Sequence, residues 1–289
     1  MTRRTGLELY TRTARASSSR VIRAYSTSFG MASRLLPAAV RDGIADVYAL
    51  VRVADEIVDG PASEAGMGSA ATREVLDELE SETLAALTRG FSANLVVHAF
   101  AATARATGID TSLVRPFFAS MRMDAGDVHL DRDQYRRYIH GSAEVVGSMC
   151  LRVFTLESPG LQLDAEMEEG ARRLGAAFQK VNFLRDLAED AGRLGRSYIP
   201  GVDPGTLTDA QKDAVVDEIA DDLAAARIAI ARLPRGSRRA TTAAAALFTR
   251  LNEQLRATPA AELRRRRISV PTVVKLRLLA GAAMGRVRA

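Results

Sequence analysis

The stretch LGAAFQKVNFLRDLAEDAGRLGRSYIP, residues 174–200, decides how the chain is read. Within it Asn182, Asp186 and Asp190 recur every four residues. On a helix they rise along one face about 6 Å apart. Phe178, Val181, Phe183, Leu184, Leu187 and Ala188 occupy most of the remaining circumference, so the spacing predicts a largely buried helix ending at Gly192. Buried carboxylates are costly to desolvate without counter-charge, so hard cations or cationic side chains are expected to meet them. The loop that follows carries Arg193, Arg196 and Tyr198.

A second stretch answers the first. In IADVYALVRVADEIVD, residues 44–59, apolar side chains again span most of a helix, while Tyr48, Arg52, Asp55 and Asp59 keep i, i+3 or i, i+4 spacing. Gly60 and Pro61 end it. One acidic ladder on a helix is ordinarily a solvated face. Two ladders on apolar helices, each with an arginine within a turn, instead suggest a pocket whose rim holds two metal clusters facing each other.

At 289 residues the chain can bury a sizeable core, and nothing forces a split, so a single domain over 1–289 is expected. Strand-like alternation is scarce and Ala, Leu, Arg and Glu recur at helical spacing, which makes the fold class all-α. The lone cysteine, Cys150, excludes a disulfide framework and sits among small and apolar neighbours, as an inert core thiol would. No run reaches 18 apolar residues and no apolar signal core follows the basic N-terminus, so a cytoplasmic protein is expected, soluble or peripheral to the membrane. Residues 1–25 carry six Arg against Glu8, and residues 263–289 carry seven Arg and Lys275 with no acid, so the stretch between holds a net −8 of the chain's +5. An acidic centre suits cation binding, and the basic ends suit contact with the anionic inner face of a membrane. Nucleic acid is not expected as a partner, because no aromatic residues interleave Arg264–Arg267.

In chain order, helices are predicted over 6–29, from Pro37 through the first ladder, then over 71–89, 92–106, 111–124, 131–156, 208–232, 237–257 and 271–288, with 60–70 a flexible connector. His98, His129 and His140 lack metal-ligand spacing and read as surface or packing residues.

Two acidic ladders in a greasy pocket suit a particular chemistry. Magnesium binds through one or two carboxylates plus substrate phosphate oxygens. Diphosphate neutralised by metal and arginine leaves readily, and the carbocation left behind survives only in an apolar, water-excluding cavity. These parts point to prenyl diphosphate chemistry.

At this point the residues match a family. The sequence resembles the squalene/phytoene synthases, the head-to-head prenyl synthases, from about Tyr25 to Leu278. The matching stretches are STSF at 26–29 with LLP at 35–37, YALVRVADEIVD at 48–59 and MRMD at 121–124. They continue with Tyr138, Val146 and Gly147, then QKVNFLRDLAED at 179–190, GRSYIP at 195–200 and RISV at 267–270. The second aspartate motif with its GRxYxP tail is the most specific of these.

The resemblance implies an all-α isoprenoid synthase fold, a helical bundle around a central apolar cavity. It implies magnesium, with Mn2+ as a substitute, on Asp55 and Asp59 at one side and on Asn182, Asp186 and Asp190 at the other, with Glu189 in support. Arg52, Arg196 and Arg267 would hold diphosphate, and Ser26 and Ser28 would line the same region. Tyr48, Gln179 and Tyr138 would sit near the reacting carbons, while Asp124 would support them and Arg185 would make an ion pair or touch substrate. The sequence departs from the family at Glu144, where Gly is usual and the cavity wall would change; at Phe248, where Tyr is common; and at Tyr25 and Thr27, where some members carry His and Lys.

The reaction so implied joins two geranylgeranyl diphosphates head to head through a cyclopropylcarbinyl diphosphate to phytoene, in carotenoid biosynthesis. Proton loss rather than hydride quenching is favoured, so no NADPH is expected, and no dinucleotide fingerprint is present. The alternatives are a squalene or dehydrosqualene synthase using two farnesyl diphosphates, and a non-catalytic assembly protein of the same fold. A di-iron bundle would need Glu-x-x-His pairs, which none of the three histidines makes.

Overall fold

The computed structural model describes residues 5–126, 128–189 and 196–285, with all their side chains except those of 27–29 and 189. The described residues form helices and turns. Their one β-type pairing is an isolated bridge between His129 and Ser197. The first half runs α1 (Gly6–Tyr25), α2 (Thr27–Ala32), α3 (Ala38–Asp59), α4 (Pro61–Glu64), α5 (Ser69–Arg89), α6 (Leu95–Thr107), α7 (Thr111–Asp124) and α8 (Arg132–Ile139). After a π-helical turn at His140–Glu144 come α9 (Val145–Phe154), α10 (Ala165–Arg185), α11 (Leu187–Glu189), α12 (Asp209–Arg232), α13 (Arg235–Ala257), α14 (Ala260–Leu263) and α15 (Thr272–Ala283).

The starts of these helices are written locally. Thr5 and Glu8 close a capping box on α1, Asp131 and Gln134 one on α8, and Thr208 and Gln211 one on α12. Asn94, Asp110 and Asp164 cap α6, α7 and α10 with single side chains. Gly90 and Gly108 end α5 and α6 at φ 76° and 74°, a left-handed turn that glycine adopts without a Cβ clash.

Four predicted spans differ from the structure. The 6–29 helix divides because Ser26 is extended, and α2 starts anew at Thr27. The 60–70 connector contains the single turn α4. The long 131–156 helix is interrupted by the π turn, whose Gly141 has no room for a side chain: a Cβ there would lie 2.1 Å from Pro116 O and Ser120 Oγ. That close approach lets Ser120 Oγ reach the carbonyls of Arg137 and Tyr138, each at 3.2 Å, as the helical register shifts.

The helix expected to run to Gly192 stops at Arg185, with Asp186 at φ −101°, ψ 6°. Asp186 is bonded by its sequence neighbour Arg185, Nε to Oδ1 at 3.0 Å. Consecutive residues on an α-helix point about 100° apart. Leaving helical geometry at Asp186 brings the pair together.

Two apolar clusters flank the centre. One joins α3, α5, α6, α7 and α9 around Leu50, Phe100, Phe117 and Phe118. The other joins α10, α12 and α13 around Leu184, Ile219 and Leu255. A buried polar contact pins α1 and α6 to α3: Asp46 accepts from Thr103 Oγ1 at 2.7 Å and faces Arg15 Nε at 3.6 Å. His98 is a packing residue, edge-on to the Tyr10 and Phe91 rings and 2.9 Å from Thr11 Oγ1.

Candidate active site

Between the two clusters lies a cavity of about 740 Å³, bounded by α3, α7, the π turn, α9, α10, α12 and α13. Its apolar wall includes Leu36, Val47, Leu151, Phe154, Met167 and Leu233. The small residues spaced along the π turn and α9 serve close packing here: a Cβ on Gly147 would meet Ala171 O at 2.2 Å, and one on Gly175 would meet Ala143 O at 2.3 Å. With α10 pressed against α9, the side chains of Gln179, Asn182 and Asp186 look into the same space as Tyr48, Arg52, Asp55 and Asp59 of α3. The two ladders therefore meet across one cavity, as far as the described residues extend. Asp190 and the side chains of Ser28 and Glu189 lie outside them.

Every arginine expected to hold diphosphate is paired with an acid at the cavity mouth. Arg52 bonds Glu56 and lies 4.7 Å above the Tyr25 ring. Arg267 Nε meets Asp186 Oδ1 at 2.7 Å, beside the Arg185 contact to the same carboxylate. Arg196 is the most enclosed. Its Nη1 donates to Asp59 Oδ1 at 2.6 Å, and its Nη2 donates to Val58 O at 2.7 Å and Asp124 O at 2.9 Å. It thereby joins the C-terminal ends of α3 and α7, where carbonyls lack helical partners. Ser26 reaches the site through a hydrogen bond to Tyr48.

Asp124 anchors two tyrosines at this end of the cavity. It is buried at the end of α7, with Oδ2 accepting from Tyr138 Oη at 2.7 Å and Oδ1 from Tyr198 Oη at 2.9 Å. The two phenols lie 5.1 Å apart, and the Tyr198 ring stacks on Phe183 at 4.6 Å. Both phenols donate to Asp124, and a hydrogen bond also links Tyr138 to Tyr198. The sequence signal was a lone acid ending the apolar helix that contains MRMD, and only the fold supplied the two tyrosines.

Three carboxylates thus crowd one end of the cavity. Burial, then repulsion from Asp59, pushes Asp55 up to about 8 against the pull of Arg52. Burial pushes Asp124 up to about 6, with Arg196 opposing. The Tyr138 phenol is held well above its ordinary value by burial and by Asp124. Among the described residues no three His, Cys, Asp or Glu side chains are arranged to hold a metal ion by themselves. The donor set is nevertheless hard oxygen, with Asp55 buried and held up in its neutral form by its neighbour Asp59, which fits magnesium sharing its shell with a phosphorylated ligand.

Two departures noted in the sequence resolve differently. Glu144 does not alter the cavity wall: it pairs with His140 Nδ1 at 2.9 Å, and Ser142, Ala143 and Val146 form the wall. Phe248 stacks behind Phe178 with ring centres 3.7 Å apart, extending the apolar side of the cavity. Cys150 borders the cavity, and burial pushes its thiol up to about 12.

Comparison with known proteins adds to this geometry. Residues 22–273 match the family model of squalene/phytoene synthase. A 15-cis-phytoene synthase from a Paracoccus strain is 30% identical over 91% of this chain and 88% of its own length. A phytoene synthase from Arthrospira platensis is 34% identical over 61% of this chain, a segment spanning 57% of that protein. A presqualene diphosphate synthase from Rhodopseudomonas palustris is 30% identical over 61% of this chain and 59% of its own length. Among solved structures, a dehydrosqualene synthase superposes with a TM-score of 0.76 at 22% identity, covering 95% of this chain and 97% of that one. A squalene synthase from Alicyclobacillus acidocaldarius gives 0.68 at 20% identity over 89% and 95%. These superpositions show the fold.

Proposed function

The chain belongs to the squalene/phytoene synthase family, and from that membership we propose that it condenses two geranylgeranyl diphosphates head to head to phytoene. The observation that carries the reading is the meeting of Asp55 and Asp59 with Asn182 and Asp186 across one apolar cavity. Bound magnesium supplies charge neutralisation of the leaving diphosphate. Asp55, Asp59, Asn182 and Asp186 are the residues that would hold it, with Asp190 completing the second ladder.

In this reading Arg52, Arg196 and Arg267 stabilise the departing group. Arg52 and Arg267 are the freer two, their side chains 30% and 57% exposed against 5% for Arg196. Arg196 mainly holds Asp59 and the ends of α3 and α7 in place. The C–O bond of the first substrate breaks, and its allylic cation is attacked by the double bond of the second. A C–H bond then yields its electron pair to close the cyclopropane.

The released diphosphate and Tyr138 are the two bases open to that proton, and we assign it to Tyr138 Oη, whose own proton would move to Asp124 Oδ2, 2.7 Å away, leaving both residues neutral. The second C–O bond breaks, the ring rearranges, and loss of another proton gives the hydrocarbon. Leu151, Phe154 and Met167 exclude water from the cation throughout. No described helix is long and apolar enough to cross a bilayer.

The test is product analysis after incubation with magnesium and either geranylgeranyl or farnesyl diphosphate, each with and without NADPH. A forty-carbon hydrocarbon formed without NADPH is expected. A thirty-carbon product would move the protein to the squalene or dehydrosqualene branch, and no hydrocarbon from either substrate would favour the non-catalytic relative.

A further inference from the structure

We infer that Tyr25 positions Arg52 for the diphosphate of the proposed reaction, a role that rests on that reading. Tyr25 is the last residue of α1, and Arg52 Cζ lies 4.7 Å over the centre of its ring. The ring is 52% exposed, so burial in the core does not account for its place.

The chemistry of the arginine shows what the ring supplies. A guanidinium is planar, with its N–H donors around the edge and none on its faces. A ring against one face attracts the charge without using a donor or cancelling the charge. A carboxylate does both, and Arg52 already gives Nη2 to Glu56. Its Nε is enclosed and makes no hydrogen bond among the described residues. An enclosed donor without an acceptor is costly, and a ligand oxygen would relieve that cost. The ring therefore steadies Arg52 at the wall of the central cavity while leaving an unspent donor and the positive charge for an anion.

The backbone explains how the ring reaches this place. Ser26 is extended at φ −131°, ψ 111°, while its N–H still closes on Ile22 O. Ser26 bonds Tyr48, and Tyr25 covers Arg52 one turn further along α3. Consecutive residues on a continuous helix would point about 100° apart. The bend at Ser26 lets the two grip successive turns of the same helix, and with them two side chains of the cavity wall.

The test uses no prenyl chain, so failure of this inference and failure of the catalytic reading can be told apart. Calorimetry measures binding of inorganic diphosphate, with magnesium present, to the full-length wild type and to Tyr25→Phe, Tyr25→Leu, Arg52→Gln and the double variant of the last two. Tyr25→Phe keeps the ring and should bind like the wild type. Tyr25→Leu should bind about fivefold more weakly, the scale of a cation–π contact at a part-exposed site, with an unchanged melting temperature. Arg52→Gln should weaken binding by about tenfold or more. The double variant should be no weaker than Arg52→Gln alone, because the ring acts only through that arginine. Wild-type affinity in Tyr25→Leu beside weakened binding in Arg52→Gln would overturn this inference alone. So would additive losses in the double variant, or a Tyr25→Phe as weak as Tyr25→Leu. Wild-type affinity in Arg52→Gln, or a wild type that does not bind diphosphate, would overturn the assigned role of Arg52 and this inference with it.

Discussion

Replacing Asp124 by Asn should remove activity while leaving stability nearly unchanged, and the two halves of that statement come from different parts of the same contact. Asn keeps one carbonyl oxygen, so it can accept from one phenol, while its amide faces the other and cannot. Loss of a hydrogen bond to a charged group costs about 1.5–3 kcal/mol. Against this, the folded protein carries a net penalty for ionising Asp124, visible in its rise from 3.8 to about 6. Two pKa units correspond to about 3 kcal/mol, which the neutral side chain recovers. The terms cancel to within about 2 kcal/mol, and the melting temperature should move by only a few degrees. Catalysis has no such compensation, because Tyr138 loses both the acceptor for its proton and its fixed orientation. Positioned proton transfer contributes about 10²-fold or more, so kcat should fall by about two orders of magnitude. KM should hold, since Asp124 touches no arginine expected to carry diphosphate except Arg196, through its backbone oxygen. Steady-state turnover with labelled prenyl diphosphate and magnesium measures kcat, and a thermal melt measures the rest. Tyr138→Phe should show a similar loss, and the double variant no further one. A kcat within about threefold of wild type would refute the relay, and a collapse in melting temperature would refute the energetic argument.

Asp55→Asn and Asp186→Asn should each abolish turnover with helix content intact by circular dichroism; wild-type turnover in either would remove that ladder from the site. Gly175→Ala should destabilise by about 1–3 kcal/mol, read from a denaturant midpoint, because its Cβ would lie 2.3 Å from Ala143 O, a backbone atom that cannot step aside. Burial raises Asp46 to about 6 from 3.8, so the folded state holds a proton that the unfolded chain has released, and stability falls as pH rises between those values. Asp46→Asn should flatten that slope, worth about 3 kcal/mol, and an unchanged slope would refute the assignment. Native protein should leave Cys150 unmodified by a thiol reagent that labels it after denaturation, because burial holds the thiol up to about 12.

The helices were legible because their signals are local. Apolar periodicity, the caps at Asn94, Asp110 and Asp164, and glycines after α5 and α6 each act within a turn of chain, so they fix element type and most boundaries without reference to the fold. The i, i+4 spacing of Asp55 with Asp59 and of Asn182 with Asp186 likewise announced two acidic faces, and their company of arginines and apolar residues announced a phosphorylated, hydrocarbon-bearing ligand.

What the sequence could not carry is anything decided by partners far apart in the chain. The break at Asp186 and the π turn beside Tyr138 arise where the ion pair to the distant Arg267 and the close approach of α7 outweigh helical propensity. Asp124 became the hub of two tyrosines because the end of α7 meets the residues that follow the second ladder, 74 positions away at Tyr198. Arg196 is a strut between two helix ends for the same reason. The sequence by itself determined an all-helical chain bearing two acidic ladders, since hydrophobic period and side-chain charge are properties of neighbours. Only the tertiary structure decided that the ladders face each other across one cavity, which phenols share a carboxylate, and which ring covers Arg52, since burial and pairing are properties of the packed whole.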